Sequence, residues 1–150
     1  MSLTAIVAID SNLGIGYKGN ILYSHPIDMA LYKSLTLAIG NCIVGRKTFE
    51  TLPNKAKENR VFSILTRNPS QPYHISSLND LKEKEYVVIG GSELYSMLEK
   101  DISKWFITTH KKESDQVDTW FNRELFERIS SHRCLHIYED VDVLIKMYYK

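Results

Sequence analysis

The pattern of apolar and polar residues along the chain predicts strands that alternate with helices. Leu3–Ile9 is a largely apolar run, as expected for a strand that is buried on both faces. Pro26 suits the first position of a helix because its ring fixes φ near the helical value, and an apolar stripe carries this helix to about Ala38. The same reasoning predicts strands at Cys42–Gly45, Arg60–Thr66, Tyr73–Ile75, Tyr86–Ile89 and Lys104–His110, and short helices at Lys47–Leu52, Leu78–Lys82 and Ser92–Leu98.

The end of the chain predicts a hairpin. Arg133–Tyr138 and Asp142–Tyr149 alternate like strands and are separated by the short segment Glu139-Asp140-Val141. Strands that alternate with helices and then end in a hairpin indicate an α/β fold. We expect a mostly parallel central sheet of about eight strands, with flanking helices and an antiparallel edge. A chain of 150 residues fits a single domain over residues 1–150, large enough to fold without disulfides or metal.

Composition narrows the range of partners. The formal net charge of +1 does not favour a nucleic-acid partner, because binding to a polyanion requires a basic excess. No apolar run is long enough to span a membrane, and the first ten residues lack the features of a signal peptide. Cys42 and Cys134 lie in apolar stretches, so we expect buried, reduced thiols in a cytoplasmic protein. We expect a monomer, and the histidines show no metal-ligand spacing.

Two glycine-rich segments resemble nucleotide-binding motifs without meeting their requirements. Gly14–Gly19 matches G-x-G-x-x-G after a strand, but no helix begins there at once and no acid ends the next strand. We interpret it as a mobile loop over a site. Gly40–Thr48 resembles a phosphate-binding P-loop, yet it has an extra residue before Lys47 and runs through a predicted strand. A nucleotide triphosphatase is therefore not predicted.

Three predicted strands end in residues that suit an anionic ligand. These ends are Gly45–Thr48, Thr66-Arg67 and Gly90–Ser92. Each alone is equally well explained by exposed basic residues or a tight turn. Ligands of such sheets bind beyond the carboxyl ends of the strands, so the three ends should lie along one edge. Together they favour a ligand with several phosphates, and an arginine near a ribose is typical of sites for a 2′-phosphate. This indicates NADPH rather than NADH.

Asp28 is the one acid in the apolar stretch Ile21–Ile39. It lies in the first turn of the predicted helix, where an acid is stabilised by the helix dipole without any further role. Alternatively, a partly buried carboxylate accepts two parallel hydrogen bonds from an aminopyrimidine-type edge. Such a carboxylate supports proton delivery to the bound ring.

The chain resembles the dihydrofolate reductase family along almost its whole length. The segments that carry the resemblance are Ile6–Ile9, Asn12–Gly16, His25–Lys33, Val44–Leu52, Arg60 with Leu65–Arg67, Val88–Tyr95, Thr109-His110 and Asp118–Phe121. The resemblance implies NADPH-dependent reduction of 7,8-dihydrofolate to 5,6,7,8-tetrahydrofolate. In that reaction a hydride reaches C6 and N5 is protonated.

The resemblance also assigns roles. It makes Asp28 and Tyr23 the catalytic residues, with Asp28 as the acid and Tyr23 in place of a family tryptophan. It gives Arg60 the α-carboxylate of the glutamyl tail. It places Thr109 in hydrogen-bonding range of the pterin amino group. The substrate-binding residues would be Ile6, Val7, Ala8, Asp28, Tyr32, Leu52, Arg60, Ile89 and Thr109. The cofactor-binding residues would be Ala8, Ile15, Gly16, Gly45, Arg46, Lys47, Thr48, Thr66, Arg67, Gly90, Gly91, Ser92, Glu93, Leu94 and Tyr95.

Some positions depart from the family pattern. Leu22-Tyr23 stands for the usual Pro-Trp, which removes an indole N–H donor. Phe49 replaces a tryptophan, Val117 a glycine and Asn122 a proline. Two alternatives stay open. One is a related NADPH-dependent reductase of a pyrimidine or another pterin, against which Arg60 argues. The other is a non-catalytic relative that binds folate or NADPH.

Overall fold

A single eight-stranded sheet organises the fold in the computed structural model, which describes residues 1–150. The strands in chain order are β1 (Ser2–Ile9), β2 (Gly14–Gly16), β3 (Asn41–Gly45), β4 (Val61–Leu65), β5 (His74–Ile75), β6 (Glu85–Val88), β7 (Ile102–His110), β8 (Thr119–Trp120), β9 (Arg133–Glu139) and β10 (Val143–Tyr149). The helices are α1 (Pro26–Ile39), α2 (Arg46–Thr51), α3 (Asn54–Lys57), α4 (Ser92–Met97) and α5 (Arg123–Ser130).

The sheet has the order β5-β4-β3-β6-β1-β7-β10-β9. The first six strands pair in parallel, whereas β10 is antiparallel to both β7 and β9. Strands β2 and β8 form a separate small ribbon. The predicted α/β class, with a mostly parallel sheet, flanking helices and a C-terminal hairpin, is confirmed.

The local structure differs from the prediction in one predicted helix and in the unpredicted helices α3 and α5. Leu78–Lys82 forms only a 3₁₀ turn at Leu78–Asp80. A capping box from Ser77 starts the turn, and the extended backbone of Leu81 ends it. Helix α5 was not predicted, although Asn122 caps it and Leu125 and Ile129 recur at helical spacing. Its apolar side is buried against the sheet.

Helix α1 begins and ends at clear signals. His25 caps its amino end, Pro26 occupies its first turn, and Asp28 is the acid of that turn. Gly40 ends it in the left-handed region, with φ of 82°, where glycine carries no steric cost. The helix thus runs from the carboxyl ends of the parallel strands back toward their amino ends.

The two faces of the sheet form separate cores. On one face, Ile6, Val44 and Ile64 pack under α1 and α2. On the other face, Trp105 and its neighbours on β1 and β7 pack against α4 and α5. Because side chains alternate along a strand, this division shows which residues of each strand point toward α1.

The prediction that both cysteines are buried is correct for Cys42 and wrong for Cys134. Both thiols are free, and Cys42 is completely buried as expected. Cys134 is exposed, because it lies on β9, the strand at the edge of the sheet. None of the helices has the length and apolar character that crossing a membrane requires.

Candidate active site

A large cavity of about 1890 Å³ lies between α1, α2 and the carboxyl ends of the parallel strands. It brings together nearly all of the residues predicted for the site. Those that line it are Ile6, Val7, Ala8, Ile15, Gly16, Tyr23, Asp28, Tyr32, Gly45, Arg46, Lys47, Thr48, Leu52, Arg60, Thr66, Arg67, Ile89, Gly91, Ser92, Glu93, Leu94 and Tyr95. One cavity therefore holds both the candidate substrate residues and the candidate cofactor residues.

Thr109 was predicted to contact the substrate, but it does not line the cavity. On β7, Phe106 packs in the core under α1 whereas Trp105 and Ile107 pack in the opposite core. Strand alternation then puts Thr108 and His110 on the α1 side and Thr109 on the other. The sequence does not reveal this, because Trp105, Phe106 and Ile107 are consecutive apolar residues and show no alternation.

Gly90 is the other predicted residue that does not line the cavity, and its role is to connect two strands behind the cavity wall. Its carbonyl accepts a hydrogen bond from Gly45 N–H at 2.7 Å, which joins the ends of β3 and β6. Its φ of 112° is readily adopted by glycine but rarely by other residues. The Gly90-Gly91 peptide is cis. Tyr95 is equally structural, because its buried hydroxyl donates to Ile6 carbonyl at 2.6 Å.

His110 is the site residue that the sequence reasoning missed. It lines the cavity, is 5% exposed and has an Nε2 with no hydrogen-bond partner in the chain. Its ring lies 5.2 Å from the ring of Tyr23, centre to centre. Burial lowers the pKa of His110, and His25 and Lys112 lower it further; the charges of Asp28 and Asp10 oppose this change. The ring is therefore neutral at pH 7.

We expect this buried ring to make the protein less stable in acid. The folded-state pKa of His110 lies below its ordinary 6.5, so the unfolded chain binds more protons in that range. The free energy of unfolding should therefore fall as pH drops through 6.5. Denaturant titrations over a pH series should show a weaker acid dependence for His110→Gln than for the wild type. A similar slope in the wild type and in His110→Gln would contradict this assignment.

Arg60 is fixed at the end of the cavity beside α1. Its Nε donates to Thr36 Oγ1 at 2.7 Å, and its Nη1 donates to the carbonyl of Glu58 at 2.8 Å. The guanidinium also lies 5.3 Å from the centre of the Tyr32 ring. These contacts leave Nη2 without a hydrogen-bond partner in the chain. A preoriented cation with free N–H groups on Nη2 suits a carboxylate, which accepts charge-assisted hydrogen bonds.

The opposite end of the cavity is built from glycines and basic side chains. A Cβ at Gly91 would lie 2.9 Å from Thr48 Oγ1, so only glycine allows these two segments to pack this closely. Arg67 pairs with Glu93 at 3.1 Å on the surface, and Arg46 pairs with Glu50 at 3.0 Å. A ligand can therefore approach the backbone closely at this end of the cavity, and the guanidinium groups of Arg46 and Arg67 lie at the cavity rim.

The predicted glycine-rich loop forms a wall of the same cavity. Gly14–Gly16 pairs with Thr119–Trp120, and Asp118 Oδ2 accepts a bond from Lys18 N–H at 2.9 Å. The buried Asp10 carboxylate accepts bonds from the backbone N–H groups of Gly14, at 2.7 Å, and Ser114, at 3.0 Å. The loop is therefore tied to the segment that follows β7.

The chain is similar to known proteins along most of its length. The sequence model of the family described as dihydrofolate reductase matches residues 2–142. A dihydrofolate reductase from Buchnera aphidicola subsp. Baizongia pistaciae is 31% identical over 130 residues, covering 81% of this chain and 77% of that protein. A dihydrofolate reductase from Bacillus subtilis is 29% identical over 142 residues, covering 87% and 83%.

The fold is also found in a solved structure. Dihydrofolate reductase from Enterococcus faecalis, in complex with NADP(H) and RAB-propyl, superposes with a TM-score of 0.81 at 23% identity. The match covers 99% of this chain and 95% of that one. From the family match and the relative above 30% identity, the chain belongs to the dihydrofolate reductase family.

Proposed function

We propose that this protein reduces 7,8-dihydrofolate to 5,6,7,8-tetrahydrofolate with NADPH. The observation that carries the proposal is a single cavity with a carboxylate and an arginine at one end and a glycine-lined, basic segment at the other. Asp28 and Arg60 match the two polar ends of a folate, whereas Gly91, Thr48 and Arg67 suit a dinucleotide. Membership of the family supports the same reaction.

The residues at the cofactor end fit NADPH. Close packing of Gly91 on Thr48 leaves exposed backbone rather than side chains against the ligand, as a pyrophosphate requires. Lys47 lines the cavity, and Arg67 lies at its rim, where a 2′-phosphate can bind. When bound, NADPH supplies the hydride that is transferred to C6 of the substrate.

The substrate end explains how the ring is held and protonated. Asp28 accepts two parallel hydrogen bonds from the amino edge of the pterin, and its negative charge favours the N5-protonated ring. The carbonyl of Ile6, which accepts a bond from the Tyr95 hydroxyl, and the carbonyl of Ile89 would contact the same ring. Tyr32 and Leu52 line the cavity on the side of α1 and α2 and would pack on it.

The walls of the cavity exclude water from the reacting atoms. Ile15 and Gly16 form one wall, and closure of this loop would strengthen the electrostatic interactions within the site. Tyr23 stands where the family usually has tryptophan, and it packs on His110. Its hydroxyl would replace the missing indole N–H as a hydrogen-bond donor.

The experiment that tests the function is a spectrophotometric assay of NADPH oxidation with and without dihydrofolate. Turnover that depends on dihydrofolate is expected. Tight NADPH binding without turnover would instead identify a non-catalytic relative. Turnover with another pterin but not with dihydrofolate would identify a related reductase.

Replacing Arg67 should change the cofactor preference. Arg67→Ala is expected to weaken NADPH about ten- to a hundred-fold more than NADH, because a charged hydrogen bond contributes about 1.5–3 kcal/mol. Fluorescence titration with both cofactors measures this. Glu93→Gln is the matched control: it removes the acid that pairs with Arg67 and should tighten NADPH or leave it unchanged. Equal weakening of both cofactors by Arg67→Ala would refute the 2′-phosphate assignment.

We further infer that the enzyme acts as a cytoplasmic monomer of one domain, without a nucleic-acid partner. Support comes from one sheet that includes strands from Ser2 to Tyr149, from two free thiols and from a net charge of +1. Light scattering of the purified protein gives the oligomeric state directly.

A further inference from the structure

A second histidine, His25, links the helix that carries Asp28 to the end of the chain. Its Nδ1 accepts a hydrogen bond from the backbone N–H of Ile27 at 3.1 Å, and this bond caps α1. Its Nε2 lies 3.0 Å from Oδ2 of Asp140, in the turn between β9 and β10. Because Nδ1 is an acceptor, the proton of the neutral ring is on Nε2, which donates to Asp140.

Asp140 is a fixed acceptor for this bond. Its Oδ1 accepts from the backbone N–H groups of Asp142 and Val143, each at 2.8 Å, and its Oδ2 also accepts from the Tyr138 hydroxyl at 2.9 Å. These bonds, first that from Val143, hold the pKa of the Asp140 carboxyl well below its ordinary value. The turn joins β10, which is paired with β7 of the central sheet. Asp140 therefore connects His25 to the sheet.

The first turn of α1 has few other attachments. Asp28 lies three residues after His25, in the turn whose N–H groups lack helical acceptors. The neighbouring apolar residues Ile27 and Met29 are 38% and 57% exposed, so neither is anchored in the core. The bonds of His25 are consequently the direct tie between this turn and the hairpin.

We propose that His25 is the positioning residue for Asp28, and that its neutral ring sets the place of the carboxylate by capping α1 and binding Asp140. The inference rests on the proposed role of Asp28 in reduction. Misplacement of a catalytic group by about 1 Å can lower a rate by about 10²-fold. Partial loss of the His25 bridge, in which the helix stays intact, is expected to lower turnover by about ten-fold.

Asp140→Asn tests the bridge without changing any residue of α1. The amide oxygen can keep the bonds from Asp142 and Val143, but the amide NH₂ then faces the Nε2–H of His25, donor against donor. The ring can adapt only by moving its proton to Nδ1, which abolishes the cap on Ile27. Asp142→Asn is the matched control, because it makes the same change of charge in the same turn. The Asp142 carboxylate lies within 4.8 Å of the His25 ring and of Asp140 but makes no hydrogen bond to either; only the backbone N–H of Asp142 bonds to Asp140.

In the NADPH-bound enzyme, Asp140→Asn should lower kcat by about ten-fold and leave the Kd of NADPH within about two-fold of the wild type. The ¹⁵N spectrum of His25 should show the lone pair moving from Nδ1 to Nε2. Asp142→Asn should keep the wild-type result in all three measurements. The proposal is overturned if Asp140→Asn behaves like Asp142→Asn, or if it lowers thermal stability while kcat stays unchanged.

His25→Asn separates the two bonds of the bridge. Asparagine is a good helix cap, but its shorter side chain cannot reach Asp140. A lower kcat is expected, and wild-type kcat would overturn the role of the link to Asp140. If the wild-type protein fails to reduce dihydrofolate, the proposed function fails. The His25 tautomer, and the Kd of a folate analogue in the Asp140 and Asp142 variants, still decide whether the bridge positions Asp28.

Discussion

Asp28→Asn is expected to reduce kcat with dihydrofolate by at least about 10²-fold, the scale of general-acid effects. The amide lacks the negative charge that favours a protonated pterin. Its NH₂ group also opposes the donors of the pterin amino edge, where the carboxylate would accept two bonds. Single-turnover oxidation of NADPH under saturating substrate measures the chemical step directly.

Glu124→Gln provides the control for Asp28→Asn. Glu124 is the exposed acid in the first turn of α5, so this change removes a charge from the same place in a helix remote from the cavity. It should reduce stability slightly through the helix dipole, by about 0.3–1 kcal/mol, and leave turnover unchanged. If Asp28→Asn shows only such a loss of stability, Asp28 is an ordinary helix-terminal acid.

Arg60→Leu is expected to raise the KM for dihydrofolate by about 10- to 100-fold with little change in kcat. Hydrogen bonds to charged groups contribute about 1.5–3 kcal/mol each, and the guanidinium is already oriented by Thr36 and Glu58. Because the glutamyl tail lies far from the reacting carbon, the lost binding affects substrate and transition state alike. Steady-state kinetics separates the two constants.

The control for Arg60→Leu uses a second substrate rather than a second variant. Dihydropteroate has the same reducible ring and lacks the glutamyl carboxylates, so Arg60→Leu should change its kinetics by less than about two-fold. An equal loss with both substrates would mean that Arg60 acts through its bond to Thr36 on α1. The assignment to the tail carboxylate would then be wrong.

The main elements could be predicted because their signals are local. The apolar run of β1, Pro26 at the start of α1 and the paired strands at the end of the chain each depend on neighbouring residues. The ribbon of Gly14–Gly16 with Thr119–Trp120 could not be predicted in this way. Its strands are two or three residues long and lie about a hundred positions apart in the sequence, so no periodicity indicates their pairing.

Within the site, the sequence indicated which residue types gather at the strand ends but not which side chains face inward. Thr109 was predicted to face the pterin, whereas strand parity on β7 puts His110 in the cavity instead. The packing of His110 on Tyr23 depends on the approach of a loop to a distant strand. The bridge from His25 to Asp140 spans 115 positions, and pairing of β10 with β7 is what brings its ends together.

The sequence by itself determined the α/β class, the single acid Asp28 in an apolar helix, the glycine pair and the family. Each of these is written in residue type and local spacing, which side-chain chemistry and backbone preference convert directly into structure. Only the tertiary structure decided that Asp28, Arg60 and Gly91 share one cavity, that His110 is buried in its wall, and that a C-terminal turn holds the helix of Asp28. These are distances between segments far apart in sequence, and they follow from how the sheet and helices pack together.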